Sequence, residues 1–340
     1  MSPTRQTRRR HPNTVVPPPL AHRRHPNVST KELPYIERNL IATKNAMGVS
    51  DVKQVDVKYG SITAADVSAD AEPLWDVRQL DPLQMRDRFV LDEGQTSYYA
   101  IRDLDVDRYA IDGRIQQVLV GARELNTDGI PNRTWVSRHL LYTHGCGLVV
   151  APASKVTIDG RPIYTKLDVK QPELYFGEGL DSYALVNSRE VEQSCADGKT
   201  SAFSGVGGVQ LSSFVRRAVF AVHLGEFNLV GSGLITSQSQ IMLFRNIRER
   251  AEKIAPFLKM DSDPYPVVVD GKVMWVLDAF TTTDRYPYAQ RANIDQLSGG
   301  SGLNTNFNYV RNSVKVVVDA YNGSMKFYVV DQKDPIISTW

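Results

Sequence analysis

The chain has 340 residues, 42% hydrophobic and 23% charged, an ordinary globular balance with length for about two domains. No run approaches the ~18 apolar residues of a membrane-spanning helix, which excludes a chain that crosses a bilayer by helices of its own. The formal net charge of +2 hides an asymmetry: residues 1–31 hold seven Lys/Arg and no acid, leaving 33 basic against 38 acidic residues in 32–340. An acidic body argues against a nucleic-acid-binding fold and confines any such role to the tail.

Residues 1–28, rich in Pro, Arg and His, carry Val15, Val16 and Leu20 as nearly their only larger apolar side chains. Such a segment cannot bury enough surface to offset its ordering entropy, so it is expected to be a disordered basic tail. It has no continuous apolar stretch of the secretory type. Order is expected from Ser29. Ser29 or Thr30 can cap a helix over 32–47, Pro34 suits its first turn, and Gly48 suits its end. Ile36, Leu40, Thr43 and Met47 fall on one face.

Residues 52–130 read as strands and irregular loops with short helices between. "DVKQVDVKYG" (51–60) alternates, and Asp112-Gly113 marks a hairpin between two apolar runs. Asp103, Asp105 and Asp107 share one strand face. Three carboxylates there suit calcium, but no kinked loop supplies converging carbonyls, so a solvated face is the expectation. "RTWVSRHLLYTHGCGLVVAPAS" (133–154) predicts a short helix or strand, a glycine turn and a buried strand. His139 and His144 are five apart, a spacing that converges neither on a helix nor on a strand, and no metal is assigned. Cys146 and Cys195 fit either one disulfide or two buried thiols.

"SAFSGVGGVQLSSFVRRAVFAVHLG" (201–225) is a glycine loop leading into a helix. It lacks the Lys of a phosphate-binding loop and reads as a connector. Ser212 or Ser213 stands near the cap, Gly225 at the end, and His223 in the last turn. Phe214, Ala218 and Val222 form one stripe, with Val215 and Val219 beside it. "SQSQIMLFRNIRERAEKIAPFL" (237–258) predicts a helix through Ile241, Phe244, Ile247, Ala251 and Ile254, ended by Pro256. Arg248–Glu252 and Glu249–Lys253 are its outer ion pairs.

Residues 256–340 predict antiparallel hairpins. Asp270-Gly271 and Asn322-Gly323 are two-residue turns. "VLDAF" (276–280) and "VVDAY" (317–321) suggest a repeated hairpin with Asp278 and Asp319 in equivalent places. Residues 281–308 are long for a structureless loop and suggest a functional or mobile segment. The fold class is therefore α+β, antiparallel hairpins with helices on them: a tail at 1–28, a mixed region at 29–255 and a hairpin region at 256–340. No residue is assigned as catalytic. The candidates for a paired-carboxylate hydrolase are Asp261, Asp263, Asp278 and Asp319, with His144 or His139 as helper. The alternative for each Asp is a turn or strand-end role, which is the expectation adopted.

"LPYIERNLIATKNAMGV", "RTWVSRHLLYTHGCG", "SGVGGVQLSSFVRRAVFAVHLGEFNLVGS", "NIRERAEKIAPFLKMDSDPYPVVVDGKVMWVLDAFTTTDRYPY" and "NYVRNSVKVVVDAYNGSMKFYVVD" occur in order. Over these stretches the chain resembles a large family of uncharacterised bacterial multi-pass membrane proteins, across about nine-tenths of its length. Cys146 stands where Tyr is more usual. The resemblance implies a fragment of a large extracytoplasmic region of the cell envelope, a binding or assembly module with no spanning helix of its own. It further implies membrane association through segments absent here and an envelope protein as partner. It brings no cofactor, activity or catalytic residue. A carboxylate hydrolase and a tail that binds nucleic acid are the alternatives.

Overall fold

The computed structural model describes residues 28–56, 60–69, 71–93, 96–195, 202–297 and 301–340. The expected disordered tail lies outside them, save for Val28. The chain divides into two compact units, residues 1–64 and 65–340.

The first unit holds α1 (Val28–Lys31) and α2 (Leu33–Ala46). Pro34 sits in the first turn of α2, where its missing N–H is no loss. Ser29 and Thr30 lie within α1, and the cap position of α2 is Glu32, which makes no side-chain cap bond. Left-handed Gly48 (φ 64°) follows the helix end. The alternation at 51–60 forms no strand over its described residues; 57–59 lie outside them. With no neighbouring strand to take the ladder, period-2 patterning alone does not make a sheet.

The second unit opens with α3 (Ala64–Ala69), α4 (Ala71–Leu74) and α5 (Pro82–Glu93). Next come β1 (Tyr99–Ala100), β2 (Asp105–Ile111), β3 (Arg114–Ala122), β4 (Glu124–Leu125), β5 (Gly145–Cys146), β6 (Leu148–Pro152), β7 (Glu173–Leu174), β8 (Ala184–Val186) and β9 (Val209–Gln210). They are followed by α6 (Phe214–Leu224), α7 (Asn228–Gly231), β10 (Gln240–Met242), α8 (Ile247–Ile254), β11 (Lys259–Met260), β12 (Tyr265–Val269), β13 (Lys272–Thr283), β14 (Tyr309–Asp319) and β15 (Met325–Val329). The fold is mixed helix and antiparallel sheet, and among the described residues no helix is long and apolar enough to cross a membrane.

The largest sheet runs β11-β13-β14-β15, with β12 also on β13. Asp270 (φ 53°) and Gly271 (φ 78°) are both left-handed, the turn whose twist matches a hairpin. Asp112 (φ 52°) and Gly113 (φ 77°) do the same between β2 and β3. Val273, Trp275, Leu277 and Ala279 alternate inward along β13 and meet Val314, Val316 and Val318 of β14 in one core with Phe176 and Tyr321. Each large side chain so buried contributes about 1.5–3 kcal/mol. Trp275 Nε1 donates to Phe176 O at 3.0 Å, satisfying the indole inside that core.

Three sequence expectations are corrected. The helix expected across 237–258 is only α8: Gln240–Met242 is a strand, Phe244 is left-handed (φ 50°), and Asn246 caps the N–H groups of Arg248 and Glu249. The apparent period ran through a strand because three apolar residues fit both patterns. Asp278 and Asp319 are not equivalent: Asp278 pairs with Lys315 in mid-strand, whereas Asp319 pairs with Met274 beside the turn. The Asp105/Asp107 face of β2 is half-buried; Val106, Arg108 and Ala110 are the exposed side. That half-buried face also carries Tyr109, whose Oη accepts from Val268 N (3.0 Å) on β12.

Ser213 caps α6 by accepting from Arg216 N (3.3 Å), and left-handed Gly225 (φ 66°) ends it. Ala221 is buried and Phe220 and Leu224 half-buried, packed among Leu185, Leu211, Leu229 and Ile241. The stripe of Phe214, Val215, Val219 and Val222 is exposed.

Candidate functional site

One concavity lies where the end of α8, β11 and residues 294–297 and 301–304 meet. It is a cavity of about 620 Å³ lined by Leu258, Met260 and Leu303 together with Lys259, Asp295 and Asn304. At Gly302 the chain approaches β11 closely: the residue is left-handed (φ 65°) and a Cβ there would stand 1.9 Å from Met260 O. A second cavity of about 270 Å³ is lined by Glu178, Asp181, Asn246, Glu249 and Pro264. Arg248, Glu252 and Ser262 line both, so the two cavities adjoin. Arg248–Glu252 (4.0 Å) and Lys253–Glu249 (3.9 Å) are the expected pairs on α8. Described residues of the long stretch after Thr283, within 294–297 and 301–304, thus line the larger cavity.

Behind the smaller cavity carboxyl groups crowd. Glu124 is buried, and its carboxylate accepts from Arg102 Nε (3.1 Å), Glu178 N (2.6 Å) and Gly179 N (2.9 Å). Burial, then Glu124, Asp105, Asp103 and Asp263, push Glu178 up to about 9. Burial, then Asp103, Asp263 and Asp107, push Asp105 up to about 7. Burial raises Asp263, and so does its bond to the Asp103 carboxyl. Glu178, which lines the smaller cavity, thus holds its proton far more tightly than an ordinary carboxyl.

The four Asp candidates go different ways. Asp261 and Asp278 adjoin across β11 and β13, with Asp261 N donating to Asp278 O at 2.8 Å. Burial raises Asp261, and Asp278 adds to that. The Asp278 side chain pairs with Lys315. Asp263 belongs to the acidic crowd. Asp319 is buried and accepts from Tyr321 N (2.9 Å), Asn322 N (3.1 Å) and Asn322 Nδ2 (3.1 Å), shaping the turn before β15. Asp270 is a turn residue, as expected.

His144 is buried, its Nδ1 2.8 Å from Gly145 O, and burial holds it below the ordinary imidazole range. His139 stacks on Tyr183 (3.9 Å) with Nδ1 2.8 Å from Tyr183 O, and burial lowers it too. Among the described residues no group of three or more His, Cys, Asp or Glu is placed to hold a metal ion. Cys146 and Cys195 are joined in a disulfide.

Sequence reasoning missed Glu178 and Glu124, which no motif marks. It also missed Arg245, fully buried and donating to the carbonyls of Tyr175, Ser182 and Thr143. Burial lowers that guanidinium to about 10, and it stays charged.

The profile of the uncharacterised protein family UPF0182 matches residues 22–340. A UPF0182 protein of Pelotomaculum thermopropionicum is 38% identical over 331 residues, covering 93% of this chain and 35% of its own. Counterparts in Kineococcus radiotolerans (40% identity; 93% and 34%) and Methanospirillum hungatei (38%; 93% and 36%) match similarly. The chain spans about a third of the length of these curated relatives. No solved structure matches it. The chain belongs to the uncharacterised protein family UPF0182.

Proposed function

We propose that this chain is an extracytoplasmic binding module of a longer, membrane-anchored envelope protein, and that its groove takes an extended polypeptide segment of an envelope partner. The adjacency of the two cavities, both lined by Arg248, Glu252 and Ser262, supports the reading that they act as one groove. The larger cavity offers Leu258, Met260 and Leu303 to an apolar side chain. The smaller offers Asp181, Glu249 and Glu252 against one Arg248, which suits a basic side chain. The Cys146–Cys195 bridge supports an oxidising compartment.

The test is fluorescence anisotropy with a short labelled peptide alternating leucine and lysine, and one alternating leucine and glutamate. The lysine peptide should bind, and E249Q/E252Q should weaken it about tenfold. Equal binding of both peptides overturns the groove reading. For location, a reporter fused after residue 331 of the full-length parent should be active outside the cytoplasm; cytoplasmic activity rejects it.

One observation favours a second reading, hydrolysis by paired carboxyls. Glu178, protonated up to about 9, stands in the same acidic crowd as Asp105, which titrates at about 7. That is the acid-and-base division such chemistry uses. Turnover of a cell-wall polysaccharide by purified chain, lost in E178Q, is the expected result; no turnover removes the reading.

A further inference from the structure

α6 is apolar on two sides. One side holds Ala221, Phe220 and Leu224 in the core with Leu229 and Ile241. The other carries Phe214 (70% exposed), Val215 (70%), Val219 (61%) and Val222 (78%), continued past the helix end by Phe227 (80%). At about 100° per residue these four helical positions, with Ala218 among them, fill one arc of about 140°. Chance scatter of apolar surface does not produce a continuous stripe on one helix.

The polar residues of α6 are basic. The helix holds Arg216, Arg217 and His223 and no acid. Arg217 turns inward and donates to Leu211 O at 3.1 Å. Arg216 and His223 are exposed and lie, by the same angular count, on the flank beside Val219. Arg216 keeps one nitrogen on Gln210 O at 2.8 Å, which holds the charge at the edge of the stripe. The nearest acid in sequence, Glu226, is engaged by Asn228 N and Nδ2 (3.2 and 2.7 Å).

We infer that the Phe214–Val222 stripe with Phe227 is a docking surface for an anionic lipid bilayer. The stripe is a convex ridge of aromatic and β-branched side chains. A fluid apolar phase accepts such a ridge without needing a matching groove, and the flanking Arg216 guanidinium meets acidic headgroups. This inference does not depend on the peptide-groove reading.

The test uses the full chain with vesicles of phosphatidylcholine alone or mixed with phosphatidylglycerol, read by co-sedimentation. Because the basic tail also draws anionic lipid, the comparison is between the parent chain and V219D/V222D, which both keep it. The double variant should lose at least about tenfold in partitioning to the mixed vesicles, with its thermal midpoint unchanged because both positions are exposed. R216Q should narrow the preference for the mixed vesicles. In F227W, the added fluorescence should be quenched by brominated lipid, a signal that tail binding does not give. Equal sedimentation of parent and V219D/V222D, equal affinity for both vesicles, or unquenched F227W overturns the inference. So does a parent dimer that becomes monomeric in V219D/V222D, which assigns the ridge to a second copy of the chain. In every arm, binding of the leucine–lysine peptide reports on the groove separately.

Discussion

Two groups of carboxyls in the second unit show the same chemistry driven in opposite directions. Asp334 is buried near the C-terminus, where Thr281, Ser313 and Tyr309 donate hydroxyls to it and Ile336 N adds a bond at 3.1 Å. Burial alone would raise it, but these donors outweigh burial and hold it down to about 2. Glu178 and Asp105 are also burial-raised, but their surroundings add acids instead of donors, and they reach about 9 and about 7. At these two places the neighbours decide the outcome: donors at Asp334, competing acids at Glu178 and Asp105. The first arrangement fastens the last residues to β13 and β14; the second leaves protonated acid at the edge of a groove.

The contrast breaks first at Asp334. D334A strands three hydroxyls and should cost about 3 kcal/mol in urea unfolding. Because its folded pKa lies below the ordinary 3.8, the contribution is present above about pH 4 and is lost as pH falls through about 2. A loss under about 0.5 kcal/mol, or one that does not fade in acid, would show that the hydroxyl cradle does not hold the C-terminus.

Glu178 carries the opposite sign. Its folded pKa lies above the ordinary 4.5, so the folded state is favoured in acid and that advantage is lost as pH rises through about 9. E178Q keeps the shape without the charge. It should match the parent below about pH 4.5 and gain stability over it progressively as pH rises from there to about 9. A flat difference across pH removes the acidic crowd as its cause. D263N is gentler. It takes one acid from beside Asp105, whose titration, followed by carboxyl NMR, should fall from about 7 by about one unit.

Part of this was legible beforehand. Asp112-Gly113 and Asp270-Gly271 announce hairpins because few residue pairs tolerate two left-handed positions. Gly225 and Ser213 bracket α6 for equally local reasons. The α6 stripe was readable as a stripe, but which side faces the core depends on Leu185, Leu211 and Ile241, contributed by other segments. Asp103, Asp105 and Asp107 share a face by period, yet their companions Asp263 and Glu178 come from far along the chain. Asp334 offered no signal at all, since its three hydroxyl donors lie 21 to 53 residues away.

The smallest effect sharpens the contrast with a third arrangement, a carboxylate answered by a cation. Lys315 and Asp278 face each other across β13 and β14, partly open to water. Two charges so placed attract modestly and must hold long side chains still, so K315Q should cost about 0.5 kcal/mol. Sodium chloride separates the three cases. Screening should erase the K315Q difference and should narrow the E178Q gain, because it weakens attraction and repulsion alike. It should leave the D334A loss unchanged, since hydroxyl dipoles in a dry site are beyond the reach of dissolved ions. Urea midpoints at low and high salt read all three. A D334A loss that shrinks with salt would mean that Asp334 is held by charge, and the distinction between donors and competitors drawn from Asp334 and Glu178 would fail.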